Sequence, residues 1–281
     1  MKKFINWIGC KKKLLPQLLP LIPKNYKTYY EPFLGSGALY LALMPKNAIL
    51  NDVDHHLISI WKSIIDNPKL FYEKTISYEN DIYQHQTQIK QKASFQTILK
   101  HFNDTTNTTN TQLTKSSLFF ILTKYAFRSI LRFTKDQILK THFSYKPKFK
   151  TGILNLDDLI TLQKHFIKNN HILLCHDYQK TIQTSQKDDF LFIDPPYYSG
   201  KEAHSHAFYQ KTFDFKEQTN LYNELQKADQ RGVKWLYTNF NTKEIRTLFK
   251  NYHFKTTKTS TSSQLTNQNN KQEIIITNYK I

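Results

Sequence analysis

The chain has 281 residues, of which 39% are hydrophobic, and this is enough for one large α/β domain, alone or with a smaller inserted module. Lys and Arg number 40 against 22 Asp and Glu, and the resulting charge of +18 favours a polyanionic partner, although the Lys-rich composition of an AT-rich genome would also raise it. Cys10 and Cys175 are too few for a disulfide framework or a cysteine-based zinc site, and no apolar run approaches the ~20 residues that span a bilayer.

The first predicted elements form the opening unit of a doubly wound parallel sheet. In chain order they are a strand over residues 28–33, a glycine turn at 35–37, a helix over 38–44 and a second strand over 48–50. A strand, a turn, a helix and a parallel strand in this order are typical of α/β folds.

The middle of the chain differs in character. Residues 61–150 have helical spacing and many Gln, Lys and Tyr residues, which predicts a helical module with an exposed loop over 104–112. Strands resume at 190–193, 234–238 and 273–278, and their continuous apolar runs fit a sheet buried on both faces. We predict a mobile loop over 259–271, between the last two strands.

The first motif, residues 31–37, reads Glu-Pro-Phe-Leu-Gly-Ser-Gly and joins the first strand to the first helix. Glycines at such a turn let a ligand approach the backbone and the N-terminus of the helix. Asp52 follows Gly35 by 17 residues, at the end of the next strand, where an acid would bind the ribose hydroxyls of a nucleotide-like cofactor. Taken alone, the pattern also fits an ordinary tight turn and a surface Asp.

The second motif, Asp194-Pro195-Pro196-Tyr197, follows an apolar strand, where ligands of open α/β sheets bind. The Asp194 carboxylate and the Pro195 carbonyl can both accept hydrogen bonds from an exocyclic amine, which draws its nitrogen toward tetrahedral geometry and makes its lone pair available. The two prolines fix the direction of that carbonyl and offer no competing N–H. Tyr197 supplies a ring face for a base taken out of its helix. The alternative is a Pro-rich turn that only ends a strand.

With these motifs in this order and a helical insert between them, the sequence resembles the Dam-type DNA adenine N6-methyltransferases over nearly its whole length. Weaker matches lie at residues 7–11 (Trp-Ile-Gly-Cys-Lys), 176–178 (His-Asp-Tyr), 238–239 and 273–279. The resemblance implies that the cofactor is bound by Trp7, Gly9, Lys11, Glu31, Phe33, Gly35, Gly37, Asp52, Asp177 and Tyr178.

The resemblance also implies the architecture and the reaction. The fold class is α/β, a Rossmann-like methyltransferase sheet with an inserted, mainly helical DNA-recognition domain. The catalytic domain would comprise residues 1–60 and 151–281, and the recognition domain residues 61–150. The reaction would be direct methyl transfer from S-adenosylmethionine to N6 of a flipped adenine in double-stranded DNA, with no metal.

Within the insert, residues 124–133 resemble the family's DNA-reading hairpin. By position, they imply a phosphate contact for Lys124, an intercalating aromatic side chain at Phe127 beside Arg128, and base reading by Arg132. A mixture of basic and aromatic residues is what phosphate contact and base stacking require. The alternative is an amphipathic helix with its Phe residues in a core and its charges in solvent.

Several positions depart from the family pattern. Cys10 stands where the family usually has a second Gly, and Ala126 replaces another Gly. Asn6 stands where members that read GATC have a Lys, and Arg128 replaces the usual Asn. The catalytic half is therefore expected to be intact and the recognition half diverged, so the target sequence stays open and GATC is not assumed.

Two alternative functions remain open from the sequence. One is methylation of another exocyclic amine, N4 of cytosine in DNA or N6 of adenine in RNA, and the other is a non-catalytic DNA-binding relative. We expect residues 199–209 to order over the flipped base, with Lys201, His204 and His206 contacting phosphate or solvent. The first seven residues lack the apolar segment of a secretory signal, so we expect a cytoplasmic protein, associated with the nucleoid if it is bacterial.

Overall fold

The structure is a computed structural model that describes residues 4–85, 87–104, 112–145, 154–200, 213–261 and 271–280. The strands in these ranges are β1 (Tyr29–Glu31), β2 (Ala48–Asn51), β3 (Arg132–Phe133), β4 (Leu139–Lys140), β5 (Ile172–Leu174), β6 (Phe190–Ile193), β7 (Lys234–Phe240), β8 (His253–Thr261) and β9 (Lys271–Thr277). The α-helices are α1 (Leu15–Leu18), α2 (Ala38–Leu43), α3 (His55–Asp66), α4 (Pro68–Tyr83), α5 (Gln88–Asp104), α6 (Gln112–Tyr125), α7 (Leu156–Lys168), α8 (Tyr178–Gln183), α9 (Phe215–Gln230) and α10 (Lys243–Leu248).

The chain divides into two compact units. The sheet unit comprises residues 11–53 and 170–281, and the helical unit comprises residues 1–10 and 54–169. These bounds differ from the predicted 1–60, 61–150 and 151–281 for a local reason. Helix α3 runs unbroken across residue 60, and α7 packs on α3 and α4 of the same unit, where the Gln163 side chain donates to the Ile65 carbonyl at 2.7 Å.

The sheet unit contains a seven-stranded sheet in the order β5-β2-β1-β6-β7-β9-β8. Strands β5, β2, β1, β6 and β7 are parallel, and β9 pairs antiparallel with both β7 and β8. Every residue of β6 is buried, which is what a strand covered on both faces requires. The predicted α/β class with a Rossmann-like sheet is confirmed.

Helix α9 covers one face of this sheet. Leu221 and Leu225 of α9 are fully buried in a core with Leu191 of β6 and with Trp235 and Tyr237 of β7. Burial of one such side chain stabilises a fold by about 1.5–3 kcal/mol, so this face holds the central strands in a fixed register. The segment predicted as a loop over 259–271 begins and ends within β8 and β9, while residues 262–270 lie outside the described ranges.

The helical unit surrounds α6. All the residues from Ser116 to Tyr125 are buried, and Ser116 and Ser63 of α3 share a hydrogen bond of 2.7 Å between their hydroxyl oxygens. The side chain of Asp54 caps α3 by accepting from two amides of its first turn at 2.9 Å each. The predicted loop at 104–112 falls at the junction of α5 and α6, and its residues 105–111 lie outside the described part of the chain. No helix of the described ranges is long and apolar enough to cross a membrane.

Candidate active site

The two predicted motifs meet where the strand order of the sheet reverses. From β1 the sheet extends through β2 and β5 on one side and through β6 and β7 on the other. Strands β1 and β6 are parallel neighbours, with Tyr29 opposite Phe190. Residues 31–37 and 194–197 therefore leave the sheet at the same edge, between adjacent strands. Open α/β sheets bind their ligands at this point.

The glycine turn after β1 is held by a carboxylate. Gly35 and Gly37 have φ angles of 48° and 60°, in the left-handed region that side chains disfavour. The amide of Gly35 donates to Oδ2 of Asp52 at 2.9 Å, and Asp52 is buried. Asp52, which was predicted to bind ribose, accepts from the turn in this structure and holds it in place.

Asn51, at the end of β2, ties the neighbouring strand ends together. Its side-chain amide donates to the carbonyl of Pro32 at 3.0 Å and to the carbonyl of His176 at 2.9 Å. Its side-chain oxygen accepts from the amide of His176 at 3.1 Å. Because these partners follow β1 and β5, one buried side chain aligns three of the predicted cofactor segments.

Glu31 presents a buried carboxyl group at the end of β1. Only 2% of its surface is exposed, and the hydroxyl of Tyr29 donates to its Oε2 at 2.6 Å. The pKa of Glu31 is raised to about 8, mainly by burial; the hydrogen bond from Tyr29 opposes this shift, and the nearby carboxylates of Asp194 and Asp52 add to it. A buried acid with a raised pKa is poised to receive a cation, since a positive ligand favours its ionised form.

Aromatic rings cluster around two of the predicted cofactor residues, Phe33 and Tyr178. Phe33 and Tyr178 stack with their centroids 5.0 Å apart, and Phe213 lies 5.8 Å from each of them. Asp177, beside Tyr178, is exposed and accepts from the amide of Gln179 at 2.9 Å as the N-cap of α8. The structure therefore brings together the predicted Phe33 and Tyr178, and gives Asp177 a capping bond.

Asp194, the predicted catalytic acid, is held by two donors. Thr238 Oγ1 of β7 donates to Asp194 Oδ1 at 2.6 Å, and Lys11 Nζ lies 2.7 Å from the same oxygen. The side chains of Lys11 and Asp194 are only 8% and 15% exposed, so this ion pair is largely shielded from water. Lys11 was predicted as a cofactor ligand, and the structure places its ammonium against the carboxylate of Asp194.

Tyr197 is fixed from three directions. Its hydroxyl donates to Glu273 Oε2 at 3.0 Å, the ring of Phe240 meets it edge-on with centroids 5.0 Å apart, and Lys11 Nζ lies 4.4 Å from its ring centroid. Burial raises the pKa of Tyr197 well above its usual value, and the carboxylates of Asp194 and Glu273 reinforce this shift. The phenol is therefore neutral at physiological pH and offers a ring face and a single donor.

The backbone of the motif is fixed by side chains of neighbouring elements. The Gln218 side chain of α9 donates to the carbonyl of Pro196 at 2.9 Å, and Asn239 accepts from the amide of Tyr198 at 2.9 Å. Gln218 in turn accepts from the hydroxyl of Tyr237 at 2.7 Å. Pro195 is buried. Residues 194–198 thus have a preset conformation, as catalysis by positioning requires.

In the helical unit, Lys124 lies inside the fold. Its side chain is 5% exposed and forms an ion pair with Glu79 of α4, which also accepts from the hydroxyl of Tyr125 at 2.8 Å. This placement does not fit the predicted phosphate contact, because a buried ammonium that is already paired with a carboxylate does not reach the surface of a duplex. The phosphate contact was assigned from the position of Lys124 in the family resemblance, and that position does not reveal the buried partner Glu79.

The next residues are on the surface. Phe127 is 48% exposed, and the guanidinium of Arg128 lies 5.1 Å from its ring centroid. Arg128 and Ser129 have φ angles of 53° and 56°, which is rare for residues with side chains and marks a strained turn. Arg132 is exposed on β3, which pairs antiparallel with β4. Residues 127–133 therefore form a turn followed by the first strand of a short hairpin, rather than an α-helix.

Trp7 and Gly9, the remaining predicted cofactor residues, also belong to the helical unit. The indole of Trp7 meets the ring of Phe119 with centroids 6.4 Å apart, and Gly9 is exposed with a φ of 78°. Of the predicted loop 199–209 only residues 199 and 200 are described, so Lys201, His204 and His206 lie outside the described ranges.

Comparison with known proteins identifies the family. The model of the D12 class N6 adenine-specific DNA methyltransferases matches residues 7–263. The chain belongs to this family. It is 26% identical to the type II methyltransferase M1.LlaDCHI of Lactococcus lactis subsp. cremoris, over 99% of this chain and 96% of that protein. It is 25% identical to the type II methyltransferase M.MjaIII of Methanocaldococcus jannaschii, over 91% and 90% of the two chains, and 24% identical to a DNA adenine methylase of Haemophilus influenzae, over 93% and 87%.

The predicted family and enzyme class are thus confirmed, and this chain is a DNA adenine methyltransferase with a methyl donor as its second substrate. Sequence reasoning missed several side chains that support its candidate site, namely Asn51, Phe213, Gln218, Thr238 and Glu273. Residues 238–239 and 273–279 had been noted only as weaker matches to the family. The signal available in the sequence was a polar residue within a predicted apolar strand, as at Thr238 and Glu273. The structure shows that both side chains are buried.

Proposed function

We propose that this DNA adenine methyltransferase uses S-adenosylmethionine and acts on an adenine rotated out of double-stranded DNA. The observation that carries the proposal is the shielded Asp194 carboxylate, held by Lys11 and Thr238 beside the ring of Tyr197. This carboxylate lies at the same edge of the sheet as the glycine turn. An enzyme with this substrate works in the compartment that holds the DNA, which for a bacterial source is the cytoplasm.

The chemistry of the sheet edge fits this cofactor. The buried acid Glu31 suits a positively charged group, the stacked rings of Phe33 and Tyr178 suit a purine, and the turn at Gly35 with Asp52 suits a ribose. When bound, S-adenosylmethionine supplies a methyl group carried on a positively charged sulfur. Trp7, Gly9, Lys11, Gly37 and Asp177 are the other residues proposed to contact it.

The residues of the Asp194–Tyr197 motif then act on the adenine. Since Asp194 Oδ1 already accepts from Thr238 and Lys11, we assign Oδ2 to one hydrogen of the N6 amine and the Pro195 carbonyl to the other. Two acceptors draw the nitrogen toward tetrahedral geometry, and Pro196 keeps the carbonyl in place. Tyr197 stacks on the base and returns part of the few kcal/mol that flipping costs.

DNA recognition is assigned to the surface turn and hairpin of the helical unit. Phe127 is exposed enough to enter a base step, Arg128 lies beside it, and Arg132 projects from β3. Lys124 is assigned a structural role because of its ion pair with Glu79. We keep the assignment of catalysis to residues 1–60 and 151–281, of which residues 4–10, 54–60 and 154–169 fold with the helical unit.

The test is the replacement of Asp194 with Asn. We expect Asp194→Asn to lower the methylation rate by at least about 10²-fold, because the reacting nitrogen loses a charged acceptor, while cofactor affinity is maintained. Asp188→Asn is the matched control, since Asp188 is an exposed carboxylate of the same unit paired with Lys27. Mass spectrometry of the digested DNA identifies the product, and N4-methylcytosine, or activity restricted to RNA, would contradict the proposal.

A further inference from the structure

Glu273 is a charged residue at a position where folding alone favours an apolar one. It precedes three isoleucines of β9 that are each fully buried, and it is itself only 3% exposed. A buried carboxylate destabilises a fold unless hydrogen bonds compensate for its lost hydration. Its backbone position is already secured, because the Thr257 hydroxyl donates to its carbonyl at 3.2 Å. The carboxylate therefore requires a different explanation.

That explanation is the hydroxyl of Tyr197. Glu273 Oε2 accepts from it at 3.0 Å, across 76 residues of sequence. Glu273 lies opposite Phe240 in the register of β9 and β7, and the ring of Phe240 meets the Tyr197 ring edge-on at 76°. One cross-strand pair thus holds both the hydroxyl and the edge of the ring. An ionised carboxylate has acceptors only, so it leaves the phenol one orientation for its proton.

The hydrogen bond from Tyr197 to Glu273 also affects how strongly the face of the Tyr197 ring attracts a positive charge. The ammonium of Lys11 lies 4.4 Å from the centroid of Tyr197, so this face already accommodates a positive charge. Donation of the phenolic hydrogen to a carboxylate makes the ring more electron-rich and strengthens its attraction for a cation. In methyl transfer the N6 lone pair would form the new nitrogen–carbon bond while the sulfur–carbon bond breaks and leaves its electron pair on sulfur. Positive charge would then reside on the base until N6 loses a proton to solvent.

We propose that Glu273 is a positioning residue for methyl transfer, which acts through Tyr197 by fixing the ring and favouring positive charge on the base stacked against it. This inference rests on the proposed stacking of the target adenine on Tyr197. It assigns Glu273 an effect on the chemical step and on the flipped state, with little effect on the affinity for DNA or cofactor.

The experiment is a double-mutant cycle of Glu273→Val and Tyr197→Phe, read by single-turnover methylation rate and by the fluorescence of 2-aminopurine at the target position. We expect each single variant to lower the rate about tenfold and to reduce the fluorescence rise, with the dissociation constants of DNA and cofactor within about twofold of the parent. In the Tyr197→Phe background, Glu273→Val should lower the rate by less than about twofold, because its partner hydroxyl is already gone.

Two further variants distinguish the loss of the hydrogen bond between Glu273 and Tyr197 from a general loss of folding. Glu273→Gln preserves the volume and one acceptor, so it should retain at least about a third of the rate. Tyr252→Phe removes a hydroxyl that donates to Asp229 at 3.4 Å and should leave the rate unchanged. If Glu273→Val does not fold, Tyr197→Phe and Glu273→Gln still test the contact, and a Tyr197→Phe rate equal to that of the parent overturns the inference.

The remaining outcomes are also decisive. Equal losses from Glu273→Val in the parent and in the Tyr197→Phe background would overturn the inference, because Glu273 would then act independently of the hydroxyl. Failure of the proposed function looks different, since the parent protein would not methylate adenine in DNA and Asp194→Asn would change nothing. An active parent whose Glu273 variants are unaffected rejects the inference alone.

Discussion

The buried carboxyl group of Glu31 gives cofactor binding a specific pH dependence. With a pKa of about 8, Glu31 is mostly protonated at neutral pH in the protein without ligand. If it holds the positively charged end of the cofactor as a carboxylate, only its ionised fraction is competent to bind, and the apparent dissociation constant is the intrinsic one divided by that fraction. The ionised fraction is about 1% at pH 6, about 10% at pH 7 and about half at pH 8.

The expected result is therefore a steep rise in affinity with pH. Binding should strengthen about tenfold from pH 6 to pH 7, about fivefold from pH 7 to pH 8, and at most about twofold above that. Isothermal titration calorimetry in two buffers of different ionisation enthalpy should show that nearly one proton is released on binding at pH 7. Glu31→Gln should abolish this proton release and flatten the profile, whereas Glu73→Gln, at an exposed residue of α4, should leave both unchanged.

The same shift has a consequence for stability with a defined sign. In the unfolded chain Glu31 ionises near pH 4.5, whereas in the fold it stays protonated until about pH 8. Between these values the folded state binds more protons, so the contribution of Glu31 to the free energy of unfolding decreases as the pH rises, and then levels off.

Cofactor affinity that stays constant from pH 6 to pH 8 without proton release would refute the assignment of Glu31.

The remaining predictions concern the turn and the hairpin. Asp52→Ala should weaken cofactor binding in a titration and leave the maximal rate nearly intact, because Asp52 holds the amide of Gly35; a collapsed rate with unchanged affinity would contradict this. Lys124→Ala should lower the free energy of unfolding by about 3–5 kcal/mol in a denaturant titration, since it leaves Glu79 buried without its cation. Arg132→Ala should instead relax base preference at one target position, worth about 1–3 kcal/mol in a randomised library, without loss of stability. Phe127→Ala should slow methylation of paired adenine more than of unpaired adenine, and equal slowing would exclude an intercalating role.

The glycine turn and the strand before Asp194 could be predicted from the sequence because their signals are local. The strand over 190–193 is an apolar run ended by Asp194 and Pro195, and β6 has the predicted bounds. The turn at Gly35 and Gly37 was predicted from glycines that do adopt positive φ. In such segments the neighbouring residues in the chain determine the conformation, so a short window of sequence suffices.

The side chains that support the site could not be predicted from the sequence, because their contacts join residues that are far apart in the chain. Thr238 reaches Asp194 across 44 residues, and Glu79 reaches Lys124 across 45. Helix α6 is buried on every side over residues 116–125, so its sequence lacks the periodicity that distinguishes an inner from an outer face. Lys124 was assigned to phosphate from the family resemblance alone, and the structure instead pairs it with the buried Glu79.

The division of the chain has a consequence for the exchange of recognition modules between relatives. The helical unit takes residues from two separate stretches, 1–10 and 54–169, and the chain passes between the units three times. A chimera that transplants only the segment between the glycine turn and Asp194 would leave Phe4 without Trp61 and Trp7 without Phe119. A functional graft must carry the N-terminal segment along with the helices, so a change of target specificity by recombination needs two crossovers around α3–α7 and a third after residue 10.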